Sequence, residues 1–226
     1  MHELGVDEVL TTTRAVRRRL DLTRPIDPAL LRECLAIALQ APTGGNNQDW
    51  HFVVVTDAAT RGAIAEEFKA GAIDYTQMEK PKKPSRQLTD DEKAARKRVV
   101  ASAGHLFEHL HEVPAMVIAC VEGRFDGAPL VVQATAFGSI LPAVWSFMLA
   151  ARARGLGTSW TTVHLAREAQ VAEILGIPYD DVTQVALVPV AHVIGNDFKP
   201  AVRRPLDAVV HWDAWDAQHP KPPACD

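Results

Sequence analysis

The 226 residues, 47% hydrophobic and 23% charged, are enough to bury one sizeable core, and the even spread of fifteen prolines and thirteen glycines excludes a long linker or a low-complexity half. A formal charge of −4 excludes a general attraction to nucleic acid, so any anion must be recognised by local clusters. Cys34, Cys120 and Cys225 are odd in number and widely spaced, which fits neither a disulfide framework nor a zinc pattern and points to a reducing cytoplasm.

In chain order, the N-terminus MHELGVDEVL lacks the basic stretch, apolar core and cleavage site of a secretory signal. A short helix is predicted over 7–12, followed by a basic stretch. A second helix starts where Asp27 can serve as N-cap and Pro28 can take the first helical position; Leu30, Leu31, Cys34, Leu35 and Ala38 give it an apolar face. Pro42 disfavours helical geometry at Ala41, which releases the chain into TGGNNQ ahead of a β-rich run at 51–56. After a helix over 57–69, the polar, proline-punctuated stretch YTQMEKPKKPSRQLTDDEK reads as a surface excursion at about 74–93, with a lid as its candidate role. A helix over 90–109 leads to the strand AMVIACV.

Between Asp126 and Arg152 there is no charged residue, a run long enough for a membrane helix. Gln133, Thr135, Gly138, Ser139, Pro142 and Ser146 interrupt it, and no second apolar span accompanies it, so the reading is a buried central helix over 129–154, kinked at Pro142 and capped by Gly155. No membrane association is expected. GTSWTTV reads as extended, a helix over 166–175 stops at Gly176, and VTQVALVPVAHVI is a final long strand. Several helices between strands favour an α+β fold, a mixed β-sheet flanked by helices, as a single domain over 1–226.

Three segments can carry chemistry. TRAVRRRL places Arg14, Arg17, Arg18 and Arg19 close together; guanidinium forks suit phosphate, although a solvated basic helix end has the same composition. The loop from Pro42 to Gln48 has two glycines for close backbone approach, with Thr43, Asn46, Asn47 and Gln48 as neutral donors and acceptors for a heteroaromatic edge. A plain glycine-asparagine turn looks similar, and Trp50 suits a core anchor as well as a ligand contact. Lys199, Arg203 and Arg204 form the third, which with Arg14 and Arg18 could close around one phosphate. His105 and His109 lie four apart with His111 nearby, but no matched acidic or cysteine ligand accompanies them, so no metal is expected. GxSxG, Walker and GxGxxG signatures are absent from the sequence.

At these segments, in order over nearly the whole chain, the sequence resembles the FMN-dependent nitroreductase family. Arg14 through Leu20 and Asp21 resemble its opening basic motif, and Pro42, Thr43, Gly44, Asn46, Gln48, Asp49 and Trp50 its Pro-Ser loop, with Asp49 where proline is usual. LAARARGLGTSWTT resembles the family's helix end and following strand, and RRPLDAVVHW its closing basic motif. Trp145 and Ser146, where many members carry Gln-Asn, resemble an actinobacterial-type subgroup.

The resemblance implies a nitroreductase-like fold and a homodimer with FMN near the interface. It assigns the flavin phosphate to Arg14 and the pyrimidine side to Arg18. Ala15 and Val16 would add backbone groups, Val16 standing where serine is common. Pro42, Thr43, Gly44, Asn46 and Gln48 would line the ring and ribityl chain. Thr161 and Thr162 would bring backbone donors to the reactive edge, and Arg203 or Arg204 would complete the phosphate site. The implied activity takes hydride from NADH or NADPH and reduces a small electron-poor substrate such as a nitroaromatic or quinone, with Arg18, Thr161 and Thr162 as catalytic residues. FMN storage without turnover, reductive dehalogenation and flavin fragmentation are the alternatives.

Overall fold

The computed structural model describes residues 4–82 and 85–217. Helix α1 (Val6–Thr12) precedes the short strand β1 (Leu20–Asp21). Helix α2 (Pro28–Ala38) begins as its sequence dictates, with the Asp27 carboxylate accepting from the Ala29 N–H at 2.8 Å and Pro28 in the first turn. It ends before Pro42. There follow β2 (Trp50–Val55), α3 (Ala58–Gln77), α4 (Asp90–His109), β3 (Ala115–Glu122), α5 (Leu130–Ala153), β4 (Leu156–Thr158), α6 (Glu168–Leu175) and β5 (Val182–Val193). Gly176 caps α6 in the left-handed region at φ 65°, which glycine adopts without steric cost.

The helix expected over 57–69 instead runs to Gln77, so the polar excursion is shorter than its composition implied. Gly71 explains the extension. A Cβ there would lie 2.4 Å from the carbonyl oxygen of Val163, so the missing side chain lets α3 pack directly on the 3₁₀ helix Val163–Arg167. At the other end Thr89 and Glu92 form a reciprocal capping box, at 3.3 and 2.9 Å, that starts α4 inside the stretch read as excursion. Lys83 and Pro84 lie outside the described residues.

The five strands form one sheet in the order β1-β5-β3-β2, with β4 also pairing β5. Every strand pair is antiparallel, and parallel pairing enters through isolated bridges at Ala15–Thr158 and Gly123–Val182. Helix-rich connections read alike in sequence whether the next strand returns parallel or antiparallel, which is why the expected mixture is so slight.

β3 is apolar from Ala115 to Val121 because both its faces are covered there. Ala115, Val117, Ala119 and Val121 point to one core with Leu31, Ile140 and Phe147 of α2 and α5, while Met116, Ile118 and Cys120 point to the other with Ile64, Phe68 and Val171 of α3 and α6. Helix α5 continues through Pro142 as one element. Among the described residues it alone is long and apolar enough to cross a membrane, and half of its most apolar window is buried inside the protein. Val131, Leu141 and Trp145 on its other side are exposed.

Candidate functional site

The basic segment is fixed by backbone pairing. Ala15 bridges Thr158, the Val16 N–H donates to the Thr158 carbonyl at 2.7 Å, and the Val16 side chain is buried in the core beside Gly157. Val16 therefore offers no free N–H, contrary to its expected role as a backbone donor. β1 then pairs with the end of β5, so the chain leaving Val193 emerges alongside the arginines. Arg19 donates to the Ile194 carbonyl at 2.8 Å and pairs with Asp197 at 2.9 Å. Phe198 receives both Arg19 and Arg152, whose guanidinium carbons lie 4.2 and 4.5 Å from its ring centroid. This clamp delivers Lys199, whose carbonyl accepts from Arg14 at 3.1 Å.

The result is a cavity of about 700 Å³ lined by Arg14, Arg17, Arg18, Arg98 and Arg203, with Ala15, Ala95, Val99 and Ser102 among the smaller residues. Among the described residues none of these five arginines is paired with a carboxylate. Arg17 donates to the Ser102 hydroxyl at 3.1 Å and Arg18 to the Ala101 carbonyl at 3.3 Å, both on α4. Burial lowers the pKa of Arg17 from its ordinary value by desolvation. The fold thus brings Arg14, Arg18 and Arg203 together as expected, whereas Arg204 turns away to the Ala208 carbonyl at 2.8 Å. Sequence reasoning gave no role to Arg17 and did not single out Arg98 or Ser102. Arg98 and Ser102 lie in a charged helix whose sequence carries no mark of what it faces.

The glycine-asparagine loop is built differently. The Gly44 N–H donates to the Ser139 hydroxyl on α5 at 3.0 Å, and a Cβ at Gly44 would lie 2.8 Å from the Thr135 methyl, so the loop rides directly on that helix. Gly45, Asn46 and Gln48 have φ of 60°, 56° and 57°, left-handed positions, interrupted by Asn47 at −67°, that asparagine tolerates and glutamine adopts at some cost. The Gln48 N–H donates to Thr43 Oγ1 at 3.3 Å, and the Gln48 side chain to Asn46 Oδ1 at 3.2 Å. Pro42, Asn46 and Gln48 remain exposed. The loop borders a separate cavity of about 290 Å³ through Gly44, Asn47 and Asp49, facing Val131, Val132 and Thr135; the arginines do not line it. Trp50 pairs with Val121 and is a core anchor, 9% exposed.

Thr161 exchanges both backbone hydrogen bonds with Leu187, each 3.0 Å, and its hydroxyl donates to the same carbonyl at 2.6 Å. Its N–H is therefore unavailable to a ligand, and of the expected pair Thr162 is the exposed one whose N–H lies outside that bridge. Beneath them His164 is fully buried with neither ring nitrogen bonded, and desolvation pushes its pKa down to about 3. The histidines of α4 are engaged locally, His109 Nδ1 lying 2.6 Å from the Glu112 carboxylate. No group of three or more His, Cys, Asp or Glu among the described residues is placed to hold a metal ion.

The sequence profile described as "Nitroreductase family" matches residues 10–192. The chain is 34% identical over 165 residues to the 5,6-dimethylbenzimidazole synthase of Rhodospirillum rubrum, covering 70% of this chain and 69% of that protein. The fold is similar to that of the FMN and NADPH-dependent nitroreductase NfnB from a Sphigopyxis strain, with a TM-score of 0.67 at 23% identity over 94% of this chain and all of that one. An oxidised iodotyrosine deiodinase bound to FMN and 3-iodo-L-tyrosine gives the same TM-score at 19% identity, over 93% of this chain and 100% of that one.

Proposed function

The chain belongs to the nitroreductase family, and from that premise we propose that it is a cytoplasmic, homodimeric FMN-dependent oxidoreductase. It takes reducing equivalents from NADH or NADPH and passes them to an electron-poor small molecule such as a nitroaromatic or quinone. The observation that carries this reading is the cavity of arginines without carboxylate partners among the described residues, assembled from the two ends of the chain and α4. Guanidinium forks gathered on one cavity repel one another and are suited to a phosphate.

Arg14 and Arg203 hold the phosphate. Arg18, on the same wall, supplies a permanent positive charge to the pyrimidine edge, and the Thr162 N–H supplies a neutral donor at the rim. FMN, when bound, supplies the two-electron chemistry, and the protein supplies binding, orientation and electrostatics. α4, tied to Arg17 and Arg18, forms one wall of the cavity. The loop 42–48 is supported by α5, whose exposed Val131, Leu141 and Trp145 suit a second copy. In that dimer each loop meets the arginines of the other protomer and lines the ring.

Arg18→Ala tests the assignment: nicotinamide-driven bleaching should slow by more than FMN retention falls, with Arg18→Lys restoring part of the rate. An Ala variant with an unchanged hydride-transfer rate would sink it. Anaerobic mixing with NADH or NADPH tests turnover itself, because a yellow protein that neither nucleotide bleaches is a flavin store. The similarity to a 5,6-dimethylbenzimidazole synthase favours flavin fragmentation as a second reading. Mass detection of 5,6-dimethylbenzimidazole after incubating the FMN-loaded protein with a reductant in air separates the two.

A further inference from the structure

We propose that Arg98 and Arg17 form a second phosphate position in the arginine cavity, one that takes a phosphate monoester borne by the electron donor or the electron acceptor. The inference rests on the FMN reading above, because it starts from the charge left over once the cofactor is accounted for. A phosphate monoester carries about two negative charges near neutral pH. Arg14 and Arg203 match them, and Arg18 is committed to the ring. Arg17 and Arg98 remain, both on the same cavity and both without a carboxylate partner among the described residues.

Their settings differ in a way that suits a binding position. Arg17 is half-buried, bonded through its side chain to the neutral Ser102 hydroxyl, so its charge has been partly removed from water without a counter-charge. Arg98 is exposed on α4, where Ala95 and Ser102, three residues before and four after it, share its face and also line the cavity. One guanidinium is thus fixed and the other sits on a long side chain able to close onto a ligand. Arg17 bonds Ser102, one helical turn from Arg98, so two forks border the same part of the cavity and match a dianionic phosphate, whereas a carboxylate is satisfied by one. Arg96 and Lys97, neighbours on α4, do not line the cavity and serve as controls for the general field of the helix.

The test uses FMN-loaded full-length protein in the natural form, Arg98→Gln and Arg96→Gln, titrated calorimetrically with inorganic phosphate, 2′-AMP and adenosine. If the phosphate belongs to the nicotinamide donor, 2′-AMP binds about tenfold tighter than adenosine, Arg98→Gln erases that margin, and the kcat/KM ratio of NADPH to NADH falls by the same factor. If it belongs to the acceptor, Arg98→Gln weakens inorganic phosphate about tenfold while the kcat/KM ratio of NADPH to NADH stays unchanged. Equal binding by the natural protein and Arg98→Gln, or equal losses in Arg98→Gln and Arg96→Gln, overturns the proposal. Flavin absorbance keeps this result apart from the FMN reading: a preparation that never takes up FMN sinks that reading, while the phosphate titrations still report on Arg98.

Discussion

The arginine cavity and the glycine-asparagine loop are both anchored by a few backbone contacts, yet one is assembled within the chain and the other is presented outward. Arg14 and Lys199 meet because β1 pairs with the end of β5, so sheet register closes a gap of nearly the whole sequence. The loop 42–48 touches α5 through Gly44 and leaves Pro42, Asn46 and Gln48 to solvent. In the proposed dimer the closed half of one copy meets the open half of the other, and each half should fail in its own way.

The largest effect is expected at the closed half. Arg14→Ala with Arg203→Ala removes both phosphate partners and should weaken FMN binding at least about a hundredfold, read by release of flavin fluorescence. Mixed dimers of that double variant with Asn46→Ala chains sharpen the contrast: one protomer pair regains an intact site if the loop serves the other copy, and none does if it serves its own.

The support beneath the rim has a pH dependence of its own. The folded pKa of His164 lies near 3, below its ordinary 6.5, so the unfolded chain takes the proton first. Stability is therefore full above about pH 6.5 and falls on acidification towards pH 3, by up to ~1.4 kcal/mol per pH unit. Thermal unfolding between pH 7 and pH 4 checks this, and His164→Leu should flatten the curve.

At the open half Gly44→Ala forces the loop off the Thr135 methyl and should weaken FMN binding about tenfold while phosphate binding by the arginine cavity stays intact. Thr135→Ser in the same chain should restore part of the loss. The smallest effect is expected for Arg204→Ala, within about ±0.5 kcal/mol in stability and with FMN affinity nearly unchanged, because its guanidinium faces the Ala208 carbonyl and not the cavity.

Local chemistry was legible in the sequence and long-range placement was not. Asp27, Pro28 and Gly176 announced helix ends through backbone rules that need no tertiary context, and the structure places the ends there. Gly71 was invisible as a reason for α3 to continue, because its value lies in contact with Val163, 92 positions along the chain. Between Arg203 and Arg204 the sequence offered no choice, but Arg14 and Arg18 were legible through the ordered resemblance of whole motifs. Arg98 was not, since one arginine among Lys93, Arg96 and Lys97 carries no mark of direction until α4 is laid over the cavity. Thr161 shows the converse: its position was foreseen, but its commitment to Leu187 depended on strand register.

α4 has little apolar burial, Leu106 alone being buried among its described residues, and Arg17 and Arg18 tie it at a single point, Ala101 and Ser102. Such a segment belongs to the low end of the local opening scale, far below the sheet it covers. Its amides should exchange with deuterated solvent long before those of β3, and a bound anion should slow that exchange. If the cavity loads a ligand by local opening, α4 is the element expected to lift while β3 and β5 stay paired.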